Sequence, residues 1–165
     1  MPLTKEQAIA FIQSAQAKQQ KCDYQGCIKD FTEVLKYSQE TGNKSWEGPA
    51  YANIGNAHEN LGNYQEALTY HQKDLDIALQ LGDKGGEGRA YANIGNAHNS
   101  LGNYQEALTY HQKDLDIAKQ IGDVDGERKA LQNIEDVKKK QTNTPSLERT
   151  RSSRQNAYQL SLIHI

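Results

Sequence analysis

YANIGNAHENLGNYQEALTYHQKDLDIALQLGDKGGEGRA, residues 51–90, is written out again at residues 91–130 as YANIGNAHNSLGNYQEALTYHQKDLDIAKQIGDVDGERKA, with eight of forty positions changed. A fixed period in this range marks a solenoid of stacked units, each burying its apolar face only against its neighbours. Function then belongs to the surface that stacking creates and not to a catalytic pocket.

Within each copy the apolar residues recur with a helical period. Tyr51, Ile54, Gly55, His58 and Leu61 fall at spacings of three and four, one face of a first helix. Gly62-Asn63 breaks it, because both residues tolerate the left-handed backbone of a tight turn. Tyr64, Ala67, Leu68, His71, Leu75, Ala78 and Leu81 make the stripe of a second helix. Gly82-Asp83 ends that helix, and a short loop is expected through Gly86. Short turns between two such helices give antiparallel hairpins. Gly55, Ala57 and Ala67 are small enough to let the two axes approach. Gly inside a helix costs roughly 1 kcal/mol against Ala, so Gly55 points to close packing at that position.

Working outward, residues 11–50 align on residues 51–90 without a gap. Phe11 falls on Tyr51, Tyr24 on Tyr64, Leu35 on Leu75, Gly42 on Gly82, and Glu47-Gly48 on Glu87-Gly88. The array therefore has three full units, at about 11–50, 51–90 and 91–130. Thr4 with Gln7 predicts a capped helix from 5 to about 21, and Asp23-Tyr24 opens a second that lasts to about Thr41. After Ala130, Ile134 keeps the apolar register of a first-type helix, but Glu135 stands where the packing glycine would be and Lys138-Lys139-Lys140 follow. This predicts a polar capping helix over about 126–140, its lysines suited to a helix C-terminus. Residues 1–140 are read as one all-α domain. Residues 141–159, rich in Ser, Thr, Arg and Gln with Pro145, are expected to be disordered. Residues 160–165, LSLIHI, translate CTG-TCT-CTT-ATA-CAC-ATC, a transposon end ligated onto sequencing libraries, and are read as an adapter artefact.

Tyr51-x-x-Ile54-Gly55-x-x-His58 followed by Ala67-x-x-x-His71, with the same register at Tyr91, Ile94, Gly95, His98, Ala107 and His111, resembles the tetratricopeptide repeat. In the first unit Ala15 and Cys27 stand at the glycine and alanine positions, and Cys27-x-x-x-Phe31 keeps the family's aromatic. The period of forty exceeds the family's usual length of about thirty-four, with the extra residues around 82–87. This longer form is similar to repeats of the LGN/Pins class of G-protein-signalling scaffolds and to long arrays of such repeats in simple animals. Asp74 and Asp114 depart from the family, which places a small residue there. An acid at that position implies that part of the second helix is wet, or paired with a basic neighbour. The resemblance implies a right-handed superhelix of three hairpins plus a capping helix, seven helices in all, that binds other proteins.

Composition narrows the function further. The chain is 36% hydrophobic and 24% charged with a net charge of −2, so nothing calls for a polyanion and no nucleic-acid partner is expected. No apolar run approaches the roughly 20 residues of a membrane helix. The start, MPLTKEQAIAF, lacks the regions of a secretion signal, and Cys22 and Cys27 make no disulfide framework. A cytoplasmic setting is expected. His58, His71, His98 and His111 occupy the family's aromatic packing positions, with no Cys or carboxylate at ligand spacing, so no metal is assigned. Cys22 falls in a turn and Cys27 at a small helix position. With no nucleophile elbow, phosphate loop or HExxH in the sequence, no catalytic residue and no cofactor is assigned.

What remains is a polar face on the first helices. Asn53, Asn56, Glu59 and Asn60 share it in one unit, and Asn93, Asn96, Asn99 and Ser100 in the next. Gln13, Gln16 and Gln20 precede them, and Asn133 and Asp136 follow. Asn is a poor helix former, so each use costs a few tenths of a kcal/mol that a Lys or Glu would save. A carboxamide offers both donors and an acceptor, which suits pairing with an extended backbone. The resemblance places this face in the concave groove of the superhelix. Arg89 and Lys129, near the starts of the following helices, are candidates to meet an acidic side chain of the ligand. Glu59 against Asn99 gives two otherwise similar units different side chains to read. The expectation is a scaffold that binds an extended peptide segment of a partner protein. The alternative is a structural segment of a longer array, with weak self-association through its ends.

Overall fold

The computed structural model describes the backbone of residues 3–162 and the side chains of residues 3–143. Among the described residues the fold is all α, with α1 (Lys5–Gln20), α2 (Tyr24–Thr41), α3 (Lys44–Asn60), α4 (Tyr64–Leu81), α5 (Lys84–Ser100), α6 (Tyr104–Ile121) and α7 (Val124–Leu162). Each helix packs against its neighbours in sequence, and α3 also touches α5. The result is a solenoid of three hairpins followed by α7.

The local causes are those the sequence supplies. At α1 the Gln7 N–H donates to Thr4 Oγ1 (3.3 Å) while the Thr4 N–H donates to Gln7 Oε1 (2.9 Å), which closes a capping box. Asp23, Asp83 and Asp123 each accept at 2.9 Å from the N–H of Gly26, Gly86 and Gly126, at the starts of α2, α5 and α7. The turns inside hairpins use Gly62 and Gly102 at φ of 77° and 81°; Cys22 takes the same place in the first hairpin at φ 58°.

Two boundaries differ from the sequence reading. The loop expected through Gly86 is absent, because α5 begins at Lys84 and only Gly82-Asp83 separates it from α4. The Asp83 cap lets residues 84–86 serve as a first helical turn, so the long repeat spends its extra residues on helix and not on loop. The second difference lies at the other end. α7 continues as backbone helix to Leu162, past the boundary near 140 and through residues expected to be disordered. Of the presumed adapter segment, residues 163–165 lie outside the described residues.

Packing joins the units in the way a solenoid requires. Ala15, Cys27, Phe31, Val34, Ala50, Ile54 and Ala57 form one buried cluster across α1, α2 and α3, and Leu75, Ala90 and Ile94 another across α4 and α5. Ile54 is 1% exposed, and burying a side chain of that size contributes about 2–3 kcal/mol. Gly55 has a specific partner. A Cβ there would lie 2.5 Å from Cε1 of the fully buried His71, and one at Gly95 would lie 2.6 Å from Cε1 of His111. The two glycines are the flat floor on which the imidazoles rest. No helix among the described residues is long and apolar enough to cross a membrane.

Candidate functional site

Two cavities open where successive first-type helices run side by side. The first, about 290 Å³, lies between α1, α2 and α3 and is lined by Ile12, Phe31, Val34, Trp46, Pro49 and Asn53, among others. The second, about 350 Å³, lies between α5, α6 and α7, with Arg89, Ala92, Asn96, Asp114, Lys129 and Asn133 on its walls. These are one position of the array sampled two repeats apart. Ile12 corresponds to Ala92, Val34 to Asp114, Trp46 to Gly126, Pro49 to Lys129 and Asn53 to Asn133. The backbone frame is shared while the chemistry changes from apolar to charged. A third cavity adjoins the second, lined by Asn96, Asn99, His111, Asn133, Asp136 and the lysines Lys139 and Lys140.

The sequence-derived site residues divide accordingly. Arg89, Asn96, Asn99, Lys129, Asn133 and Asp136 come together around the adjoining pair of cavities. Asn53 lines the apolar cavity, where its Nδ2 donates to Pro49 O at 2.8 Å. Asn60 likewise donates to Asn56 O (2.8 Å), and Asn99 Oδ1 accepts from Lys140 Nζ (3.4 Å). Asn56 and Asn93 are half-buried, while Gln13, Gln16, Gln20 and Ser100 are exposed. Glu59 faces its own hairpin, with Oε1 3.5 Å from Nε2 of buried His71. The apolar cavity is absent from the sequence reading, although Trp46 and Pro49 standing against Gly86 and Arg89 carry its signal.

The departure at Asp74 and Asp114 resolves into both of its expected forms. Asp74 is 1% exposed, with Arg89 Nη2 3.7 Å from its Oδ1 and no hydrogen-bond partner on Oδ2. Loss of water pushes its carboxyl up to about 6, against the pull of Arg89 and His71. Asp114 is half-buried on the wall of the second cavity and forms no ion pair among the described residues. Burial, with Asp123 nearby, pushes it up to about 6 as well. One acid has a basic neighbour and the other opens onto the cavity. Gly48 and Gly88 leave room for them, since a Cβ would come within 3.1 Å and 3.3 Å of the respective Oδ1 atoms.

The four histidines pack as aromatics. His58 stacks on Tyr70 (5.3 Å between centroids, 10°) and His98 on Tyr110 (5.5 Å, 9°). His71 and His111 sit on the packing glycines, and burial lowers His111 to about 4. Cys27 is a buried thiol donating to Ala15 O at 3.2 Å, and burial raises its pKa, as suits a side chain that fills space between α1 and α2.

A family model for the tetratricopeptide repeat matches residues 6–80 and 48–120. No curated protein sequence matches the chain. Among solved structures, the TPR domain of Arabidopsis FLU is similar with a TM-score of 0.67 at 20% identity, over 70% of this chain and 98% of that one. The TPR2B domain of yeast Sti1, in its pHsp70 complex, gives 0.69 at 18% identity, over 82% and 99%. A Rap protein complexed with Competence and Sporulation Factor gives 0.74 at 18% identity, over 86% of this chain and 40% of that one. At these identities the likeness is one of fold.

Proposed function

Because the chain belongs to the tetratricopeptide repeat family, we propose that it is a non-catalytic scaffold that holds an extended peptide segment of a partner protein in the groove lined by α1, α3, α5 and α7. The observation that carries this reading is the meeting of Asn96 and Asn133, from successive repeats, in two adjoining cavities beside Arg89 and Lys129. Asn93, Asn96 and Asn133 make no side-chain hydrogen bond among the described residues, which leaves donors and acceptors open to a ligand backbone. The Sti1 domain with pHsp70 and the Rap protein with Competence and Sporulation Factor support it as precedents for the fold. The groove is short and a flexible peptide loses entropy on ordering, so affinity is modest. Free Cys22 and Cys27 accord with a reducing, cytoplasmic setting. The test replaces Asn53, Asn93 and Asn133 together by Ala and repeats capture from a peptide library. Loss of about tenfold or more in affinity is expected, equivalent to about 1.4 kcal/mol. Undiminished capture by a folded triple variant removes the reading.

A second reading has its own observation. A cavity of about 600 Å³ on the outer side of α1 is lined by Leu3, Gln7, Ala10, Phe11 and Ser14. Ala10 is exposed there, while its equivalents Ala50 and Ala90 are 2% and 0% exposed against a preceding hairpin. An exposed residue at a position that is buried in the later repeats supports the reading of a segment of a longer array or of a self-associating module. Light scattering over a concentration series tests it, since stacking predicts a mass that grows with concentration and a constant monomer mass refutes it.

A further inference from the structure

We propose that the groove reads its peptide with a built-in polarity: a bulky apolar side chain enters the cavity at α1–α3, and an arginine of the same peptide pairs with Asp114 at α5–α7. This rests on the peptide-groove reading and specifies the partner's chemistry.

The three repeats display one position in three states. In the first, Val34 stands beside Trp46 and Pro49 and the cavity is apolar. In the second, Asp74 has the protein's own guanidinium as an ion-pair neighbour, Arg89 Nη2 of the following helix lying 3.7 Å from Oδ1 while Oδ2 has no hydrogen-bond partner. In the third, Lys129 replaces Arg89 and the pairing is lost. Neither Asp114 nor Lys129 has an ion pair or hydrogen bond among the described residues, although both line the same cavity. The other charges there are spoken for: Lys84 is bound to Glu87 at 2.6 Å, and Asp123 accepts from Gly126 N. The molecule thus contains its own template for what a carboxylate at this position accepts. A lysine ammonium and an arginine guanidinium are not interchangeable; Lys129 makes no such approach to Asp114, and the place of a guanidinium there is left to a ligand. An acidic ligand side chain at Lys129 would instead approach Asp114 and Asp123, a like-charge juxtaposition. Arg89 is already committed to Asp74, which withdraws one of the two cations that an acidic ligand would use.

The geometry sets a spacing. The two cavities are two repeats apart, at least roughly 20 Å, because directly packed helices lie about 8–10 Å apart and neighbouring first-type helices touch only sparingly. An extended chain rises about 3.3 Å per residue, so about six residues or more separate the apolar side chain from the arginine.

The experiment uses fluorescein-labelled peptides with a Trp and an Arg about six to nine residues apart in a Gly/Ser/Asn background, in both chain directions, with Arg→Gln and Arg→Glu versions. Affinity for the full chain is read by fluorescence anisotropy. The Arg peptide should bind about tenfold more tightly than the Gln version. Asp114→Asn should erase that margin. Lys129→Arg should erase it too, by copying the Arg89 contact onto Asp114, although it leaves the net charge unchanged. Trp46→Ala should weaken all Trp peptides alike. Equal or tighter binding of the Gln or Glu versions overturns the proposal, as does a margin that survives both substitutions in folded protein. In a parallel random-peptide selection, binders that depend on the groove asparagines but show no Arg enrichment refute the inference and leave the groove reading standing. A selection that yields no asparagine-dependent binder refutes both.

Discussion

Asp74→Val installs in the second repeat the residue that the first repeat carries as Val34. The Asp74 carboxyl is 1% exposed and is raised from an ordinary 3.8 to about 6. Keeping the carboxylate ionised in the folded protein at pH 7 against a rise of that size costs about 3 kcal/mol. Val removes that penalty. Space is not the obstacle, since Gly48 leaves room beside Asp74 and the first repeat buries Val34 at the equivalent place. The variant should therefore be more stable at pH 7 by about 2–3 kcal/mol, a rise of roughly 5–10 °C in Tm. The pH dependence has a definite sign. Between about pH 4 and 6 the folded carboxyl holds a proton that the unfolded chain has released, so the acid's contribution falls as pH rises through that window and stays low above it. Urea unfolding at pH 4, 5, 6 and 7, followed by circular dichroism, should show the advantage of the variant growing up to pH 6 and levelling off. An equal advantage at pH 4 and pH 7, or a loss of stability at pH 7, would refute the reasoning.

Three further substitutions test the frame that presents the groove. Gly55→Ala should lose about 1–2 kcal/mol in urea unfolding despite better helix propensity, because its Cβ meets the buried His71 ring; in a His71→Ala background the sign should reverse. Cys22→Gly should gain about 0.5–1 kcal/mol in the same assay, since Cys22 holds φ 58° where the later repeats use Gly62 and Gly102. Lys18→Met should lower the thermal midpoint by the equivalent of about 2 kcal/mol, because it leaves Asp30, 6% exposed, without its partner at 2.7 Å. Combining it with Asp30→Leu should recover most of the loss.

The fold is legible in the sequence because its determinants are local and copied. A three-and-four stripe, a turn glycine and an N-cap, repeated at a fixed period, leave few alternatives to stacked hairpins. The exchange of loop for helix at residues 84–86 is harder to read, because Gly85 and Gly86 look like breakers and the Asp83 cap that overrides them acts through a side chain. The site is legible only in part. Asn96, Asn133, Arg89 and Lys129 share a face by spacing alone, and they come together in the structure. That Asn53 turns onto Pro49 O, or Glu59 toward His71, depends on rotamers and on a partner helix that helix periodicity does not describe. The apolar cavity needs a different comparison, in which the first repeat is read against the others for what it has lost.

That comparison also bears on why the acids are there. An array kept only for stacking has no use for a buried carboxylate with an unpartnered oxygen, because the apolar version of the same position is available one repeat away and is built from Val34, Pro49 and Trp46. The second and third repeats instead place an acid on the second helix and a base on the next first helix, Asp74 with Arg89 and Asp114 with Lys129, and Arg89, Asp114 and Lys129 line one cavity with Asn96 and Asn133. Where local rules are broken at a cost in stability, a functional surface is the expected reason. The stability measurement is therefore also a functional one. If Asp74→Val strengthens the fold, the buried acid is held for the Arg89 it orients and not for packing, and Asp114, which has no such neighbour, becomes the place to look for the partner.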